Sequence, residues 1–441
     1  MLGNYKEQIS LTKEQKEAVG LLSIGSFLEY FDLMLYVHMA ILMNELFFPK
    51  TDPHTTNLLA ATAVCSTFVL RPIGALIFGW IGDNIGRKTT VVITTFMMAI
   101  SCFIIAVLPT YEQIGATAAW LMTMCRIMQG VSSMGEVVGA KLYLTELIQK
   151  SPMQYFVVAL IMVSVSLGGV CALAIASLFT SYGFNWRMAF LVGTGIAMIG
   201  AIARTALRET PEFADAKRRI KKTFEEFTIN TKSLVANPVI QEKVSKKTAI
   251  SYFFMELGQP VWFYFIYIYC SNSMKNSFNF DAGQVIHHNF LVSMVDLLVV
   301  ITLTFLAYKV HPLKILKTQS IIFFGLVLVY PLLLNNINTV QGIFIIQALT
   351  AVFAPSTFPA NPIFYRAFPI FKRFSYASFT FAISRALMSV VTSFGIVYLI
   401  EYLGNYGLLV VMLPIITLYG IGLLHFINLE KVTGSYDSTV T

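Results

Sequence analysis

Charge is scarce in this 441-residue chain: Asp, Glu, Lys and Arg make up 12% of it, against about 25% in a soluble globular protein. Its five cysteines, Cys65, Cys102, Cys125, Cys171 and Cys270, all fall in apolar runs at irregular spacing. That spacing excludes a readable framework of disulfides or zinc ligands. No metal-ligand cluster, nucleophile elbow or phosphate loop occurs at a useful spacing, which argues against an enzyme and against a cofactor. A short apolar stretch with a small-residue cleavage site is also missing. Charged residues 1–19 run straight into a long apolar segment, so the first helix is read as retained and not as a signal peptide. What the chain does have is apolar sequence, 56% of it, in runs longer than the ~18 residues that argue for a membrane-spanning helix. Soluble, secreted-disulfide and disordered classes are excluded. The expectation is an all-α polytopic membrane protein.

Twelve apolar segments are readable, at 20–45, 57–82, 89–109, 114–140, 154–180, 187–207, 248–271, 285–308, 315–334, 339–364, 376–401 and 406–428. Twelve crossings place both termini and the even-to-odd loops on one side. That side collects 23 of the Lys and Arg residues, the other only Lys50, Arg187 and Lys275, and five more lie inside the segments. The positive-inside rule makes the basic side, with both termini, cytoplasmic. The net charge of +8 therefore orients the chain and needs no nucleic-acid partner.

The one long polar stretch, 208–247, separates six spans from six and is helix-compatible around Ala214–Phe227. Two six-helix halves, 1–207 and 248–441, joined by a cytoplasmic linker match transporters built from parallel repeats, whose sites lie near the midplane between halves. Gly258, Gln259 and Pro260 interrupt the seventh segment, and Pro355, Pro359 and Pro362 the tenth. Proline frees carbonyls that must find protein or water partners in lipid. Such breaks fit helices lining a wet cavity; a plain packing kink is the other reading.

The strongest motif is Arg71-Pro72-Ile73-Gly74, followed by Phe78-Gly79-Trp80-Ile81-Gly82-Asp83-Asn84-Ile85-Gly86-Arg87-Lys88. Its glycines allow close backbone approach, Asp83 can accept from a helix N-terminus, and Arg87 can hold a carboxylate or helix end. The motif resembles the loop between helices 2 and 3 of the major facilitator superfamily. That resemblance implies a conformational latch formed by Gly79, Asp83, Gly86 and Arg87; Arg71 is read as pairing within the first half in support of it.

Phe27-Leu28-Glu29-Tyr30-Phe31-Asp32 with Tyr36, Arg126-Ile127-Met128-Gln129-Gly130, Gly135-Glu136, Tyr143-Leu144-Thr145-Glu146, Trp186-Arg187-Met188-Ala189-Phe190 and Leu207-Arg208-Glu209-Thr210-Pro211-Glu212-Phe213 are similar to the metabolite:proton symporters of that superfamily. The proline/betaine transporters are the subgroup most resembled. Phe368-Pro369 with Arg373 carries the likeness into the second half. Lys141, Arg366 and Arg385 depart from the pattern, and no counterpart of the loop motif occurs near Ala307–Lys317.

A charge at the centre of a span costs roughly 2.5–3.5 kcal/mol on insertion scales, so such groups face the interior and find partners. Asp32 and Arg126 fall at similar depth near the midplane. Arg126, Gln129, Ser133 and Glu136 form one helical stripe. Asp32 and Arg126 are read as a proton switch, because burial and a guanidinium pull a carboxylate's proton affinity in opposite directions. The same residues would also serve as a static ion pair. Glu29 and Glu136 are secondary proton-coupling candidates, and Glu256 and Asp296 are further intramembrane acids, each a partner open to Arg385.

For substrate, Tyr36 and Trp262 offer aromatic faces for an ammonium group, Gln129 and Arg385 offer polar contacts, and either Arg126 or Arg385 could hold a carboxylate. The scattered histidines have no metal-ligand spacing, so no metal site is expected. The resulting expectation is a proton-coupled symporter importing a small zwitterionic osmolyte such as proline or betaine, acting as a monomer in the cell inner membrane. Its partners would be that small molecule, protons and the lipid bilayer. A symporter of mono- or dicarboxylates is the second reading, and a non-transporting sensor or scaffold of transporter descent the third.

Overall fold

The computed structural model describes residues 10–48, 68–148, 151–182, 185–226, 242–434 and 436. Helices account for nearly all of them. Span 1 is Lys13–Phe47, span 2 Arg71–Asn84 and span 3 Arg87–Val107. Span 4 runs through Ala116–Ser133, a π-helical turn at Met134–Val138 and Gly139–Leu147. Span 5 is Met153–Tyr182 and span 6 Arg187–Arg204. A polar helix, Pro211–Glu226, opens the linker.

Span 7 is assembled from Lys246–Glu256, Gly258–Tyr264, a π-helical turn at Phe265–Tyr269 and Cys270–Phe278. Spans 8 and 9 are Ala282–Lys309 and Pro312–Asn336. Span 10 consists of Val340–Phe353 and Asn361–Arg366, with a 3-10 turn at Phe358–Ala360 between them. Span 11 joins Arg373–Val390, a π-turn at Val391–Gly395 and Ile396–Leu403. Span 12 is Gly407–Val432.

Twelve spans are thus assigned among the described residues. Among the described residues, eight helices are long and apolar enough by themselves to cross a bilayer. The other four do not meet that measure among the described residues. Span 2 is described only in its second part, and the measure reaches span 6 only over Arg187–Ile202. Spans 4 and 7 carry the polar and charged side chains Arg126, Gln129, Lys141, Glu256 and Gln259. The helix starts are written locally. Asp281 and Gln284 cap span 8 reciprocally, Thr339 accepts from the Gly342 amide at span 10, and Pro312 begins span 9 where its missing N–H costs nothing.

Spans 1 and 5 pack along one another, as do 3 and 6, 7 and 12, and 9 and 12. Two seams join the first six spans to the last six: span 5 against span 8, and span 2 against span 11. The cavity and the loop motif lie along these seams.

One buried cation ties the first bundle together. Arg204, at the end of span 6, is fully buried; its guanidinium donates to the Leu21 and Leu22 carbonyls at 2.9 and 3.0 Å and to the Thr95 hydroxyl. Charge-assisted hydrogen bonds each contribute about 1.5–3 kcal/mol. Arg204→Met is therefore expected to destabilise the purified protein by about 3 kcal/mol, read as a lower thermal midpoint. An unchanged midpoint would show that this anchor carries no stability.

Candidate functional site

Three polar constellations stand inside an otherwise apolar bundle. The first is a closed ring of side chains from spans 1, 3 and 4. Arg126 Nη1 lies 3.5 Å from Asp32 Oδ2 and donates to Gln129 Oε1 at 2.6 Å. Gln129 Nε2 donates to Cys102 Sγ at 3.6 Å, and the Cys102 thiol donates to Asp32 Oδ1 at 3.4 Å. The Tyr36 ring lies 3.8 Å beneath the guanidinium carbon. Asp32 and Arg126 are 3% and 2% exposed, so each charge depends on this ring for its solvation. The helix pitch brings Arg126 and Gln129 to one face, as three-residue spacing requires. Tyr36 and Gln129 are packed around the pair and do not line the cavity described next. Cys102 gave no signal in sequence beyond being an apolar-run cysteine. The Glu136 side chain lies outside the described residues.

The second constellation lines a cavity between the two sets of six spans. Its two lobes share Tyr30, Met34, Gln259 and Phe263. One lobe is walled by Arg71, Phe381, Arg385, Ser389 and Thr392, the other by Ser166, Trp262, Tyr267 and Asp296. Arg385 Nη1 donates to the Glu256 carbonyl at 2.7 Å, and Nη2 reaches Glu256 Oε2 at 3.3 Å. Of the two acids open to it from sequence, Arg385 therefore takes Glu256. Glu256 also accepts from Thr357 Oγ1 at 2.8 Å, a hydroxyl presented by the interruption of span 10. Buried Lys141 has Glu256, Arg385 and Glu29 as its charged neighbours. Trp262 stacks edge-on against Phe323, with ring centroids 4.7 Å apart, while lining the cavity.

Arg71, expected to pair within the first half in support of the latch, has its partner on span 1. It pairs with Glu29 at 3.7 Å and faces the cavity. Twelve residues of helix separate it from Asp83, about 18 Å at 1.5 Å per residue.

The third constellation sits at the basic end of spans 2, 3, 4 and 11. Asp83 accepts from the Phe374 and Ser375 amides at 3.0 and 2.8 Å, the exposed donors of the span 11 N-terminus. Gly79 makes the approach possible: a Cβ there would lie 2.8 Å from Ser375 Cα. Gly86 caps span 3 at φ 156°, where a side chain would be strained and would meet Glu209. Arg87 makes a two-pronged contact to Glu146, at 2.9 and 3.0 Å, and also reaches Asp83 at 3.3 Å and the Ile370 carbonyl at 2.8 Å. Arg373 Nη1 donates to Glu146 and Glu212 at 3.3 and 3.1 Å, and Thr210 Oγ1 to Glu146 at 2.8 Å. Spans 2, 3 and 4, the start of span 11 and the linker thus meet in one buried charge cluster. The matched segments had carried Glu209, Thr210 and Glu212 without a role; the fold places all three here.

Among the described residues, no three His, Cys, Asp or Glu side chains group as metal ligands. His288 bonds Gln347 at 2.7 Å and His425 bonds Thr248 at 3.2 Å. The His38 side chain lies outside the described residues.

Comparison with known proteins agrees with this architecture. The family model for the Major Facilitator Superfamily matches residues 22–369. The chain is 27% identical to the proline/betaine transporter of Salmonella typhimurium over 389 residues, covering 84% of this chain and 75% of that relative. It is 32% identical to the proline/betaine transporter of Escherichia coli K12 over 204 residues, covering 45% of this chain and 41% of the relative. In structure it is similar to a proton:xylose symporter, XylE, with a TM-score of 0.72 at 13% identity, over 94% of this chain and 95% of that one. Twelve spans, the loop motif between spans 2 and 3 and these matches agree: this chain is a membrane transporter, not an enzyme, and it belongs to the Major Facilitator Superfamily.

Proposed function

We propose that the protein imports a small zwitterionic osmolyte, of the proline or betaine kind, together with protons. The observation that carries this reading is the buried Asp32–Arg126–Gln129–Cys102 ring. A carboxylate and a guanidinium at 3.5 Å are stable in a dry site only while both are charged and hydrogen-bonded. A proton arriving at Asp32 cancels the attraction, leaving Arg126 to Gln129 and the Tyr36 ring. Spans 1 and 4 are then free to shift relative to each other. The half bundles 1–207 and 248–441 would rock about the cavity, with the basic, cytoplasmic end closed when the Asp83–Arg87–Glu146 cluster is made. The inner membrane is the expected location, with both termini cytoplasmic.

A zwitterion suits the cavity because guanidinium and aromatic surfaces both line it, and because relatives carry the name proline/betaine transporter. Two arginines on one lobe, Arg71 and Arg385, favour the alternative, a mono- or dicarboxylate. Proteoliposomes with an inward proton gradient decide between them. Uptake of radiolabelled proline or glycine betaine should rise with the gradient, collapse with a protonophore and resist competition by succinate. Succinate competition would establish the carboxylate reading, and gradient-independent uptake would remove the proton. If no substrate moves, the sensor reading gains.

Arg385 would hold the substrate carboxylate. Replacing it with Gln removes a charge-assisted contact of about 1.5–3 kcal/mol. Arg385→Gln should therefore raise the substrate KM roughly tenfold or more, since about 1.4 kcal/mol is one decade. An unaltered KM would place the carboxylate elsewhere.

A further inference from the structure

Asp296 has no place in the proton switch or in the latch. It lies on span 8 and is partly buried; its carboxylate accepts from Ser166 Oγ on span 5 at 3.2 Å. Among the described residues no Lys, Arg or His forms an ion pair with it. Every other described acid of the cavity region has a guanidinium: Glu29 has Arg71, Asp32 has Arg126 and Glu256 has Arg385. Asp296 instead lines the lobe walled by Tyr30, Trp262, Phe263 and Tyr267. A carboxylate beside several aromatic faces is the arrangement that attracts an organic ammonium, through charge and through the ring quadrupoles.

We propose that Asp296, with Ser166 and the Trp262 and Tyr267 rings, forms an ammonium-binding subsite, opposite in charge to the Arg71 and Arg385 lobe. This rests on the zwitterion reading and assigns its cationic group a receptor. The Asp296–Ser166 hydrogen bond also spans the seam between spans 5 and 8. An ammonium held there touches both halves of the transporter.

Two single-charge probes test the assignment by thermal stabilisation of the purified full chain: choline, an ammonium without a carboxylate, and cyclopentanecarboxylate, a carboxylate without an ammonium. Choline is expected to stabilise the wild type, with an apparent Kd raised at least tenfold in Asp296→Asn and severalfold in Trp262→Leu. Cyclopentanecarboxylate should respond to Arg385→Gln and not to Asp296→Asn. Trp262→Leu keeps the charge and removes a ring face, so it carries the test should Asp296→Asn fail to fold.

Choline that binds Asp296→Asn as tightly as wild type, or fails to bind wild type, overturns the proposal. So does Asp296→Asn uptake that keeps its affinity but loses its pH dependence, which would make Asp296 a proton site. The two readings fail separately. Asp296-dependent choline binding without proline or betaine uptake leaves the subsite standing and removes the transported zwitterion. Proton-driven proline or betaine uptake unaffected by Asp296→Asn removes the subsite alone.

Discussion

Asp32→Asn should abolish accumulation driven by a proton gradient while leaving exchange of substrate across the membrane. For each proton carried with a substrate, one unit of pH gradient supplies 1.36 kcal/mol, about tenfold in accumulation. An amide cannot take up or release that proton, so the ratio of internal to external substrate should fall to about one. The sign is fixed by the chemistry. In the wild type, uptake should rise as the external pH falls, because protonation of Asp32 releases Arg126 from the 3.5 Å pair. In Asp32→Asn this dependence should disappear, and Arg126 should keep its 2.6 Å bond to Gln129. Proteoliposomes loaded with cold substrate measure exchange, and the same vesicles under an imposed gradient measure accumulation. Continued accumulation by Asp32→Asn would end the switch reading, whatever else the variant did. Loss of both activities would mark the pair as structural.

Glu146→Gln should open the basic end. Glu146 is fully buried and takes contacts from Arg87, Arg373 and Thr210. Its neutral substitute takes one of two carboxylates from each of two buried guanidiniums, leaving Arg87 with Asp83 and Arg373 with Glu212. Removing one member of a buried charge pair costs roughly 3–5 kcal/mol. The cost falls on the state in which the cluster is assembled, since separation of span 11 from spans 2 to 4 returns the guanidiniums to water. The ratio of closed to open populations should therefore drop by about two to three and a half orders of magnitude, as 1.4 kcal/mol is a decade. Spin labels on span 2 and span 11 near this end would report it as a shift from a short distance to a longer, broader distribution. An unchanged distribution would show that the cluster does not hold the end closed. A lower unfolding midpoint without opening would assign it to folding alone.

Much of the architecture could be read before any coordinates. Apolar runs fixed the spans, because lipid offers nothing to a free backbone amide and leaves only helices as crossings. The linker helix observed at Pro211–Glu226 lies close to the pattern expected around Ala214–Phe227. Spacing also put Arg126 and Gln129 on one face. It could not say that Gln129 and Tyr36 turn to the guanidinium and away from the cavity, nor that Cys102 of span 3 closes the ring. Those contacts depend on how span 3 is rotated against spans 1 and 4, which side-chain packing sets. For Arg71 a partner within the first half was expected, but not that it is Glu29 or that Arg71 also lines the cavity, because twelve residues of helix carry it about 18 Å from Asp83.

The sequence by itself determined that the chain must cross a bilayer twelve times, which of its ends is basic, and which few charges had to be sheltered. These follow from the free energy of moving polar atoms into hydrocarbon, a property of composition and local order. Only the tertiary structure decided the partnerships: Arg385 with Glu256, Asp83 with the first amides of span 11, Arg204 with the carbonyls of span 1, and Asp296 with Ser166. Each joins residues far apart in the chain, and no local rule couples them. Their choice depends on which helix faces meet, and a Coulombic or hydrogen-bonded contact exists only where packing has brought its two ends within a few ångströms.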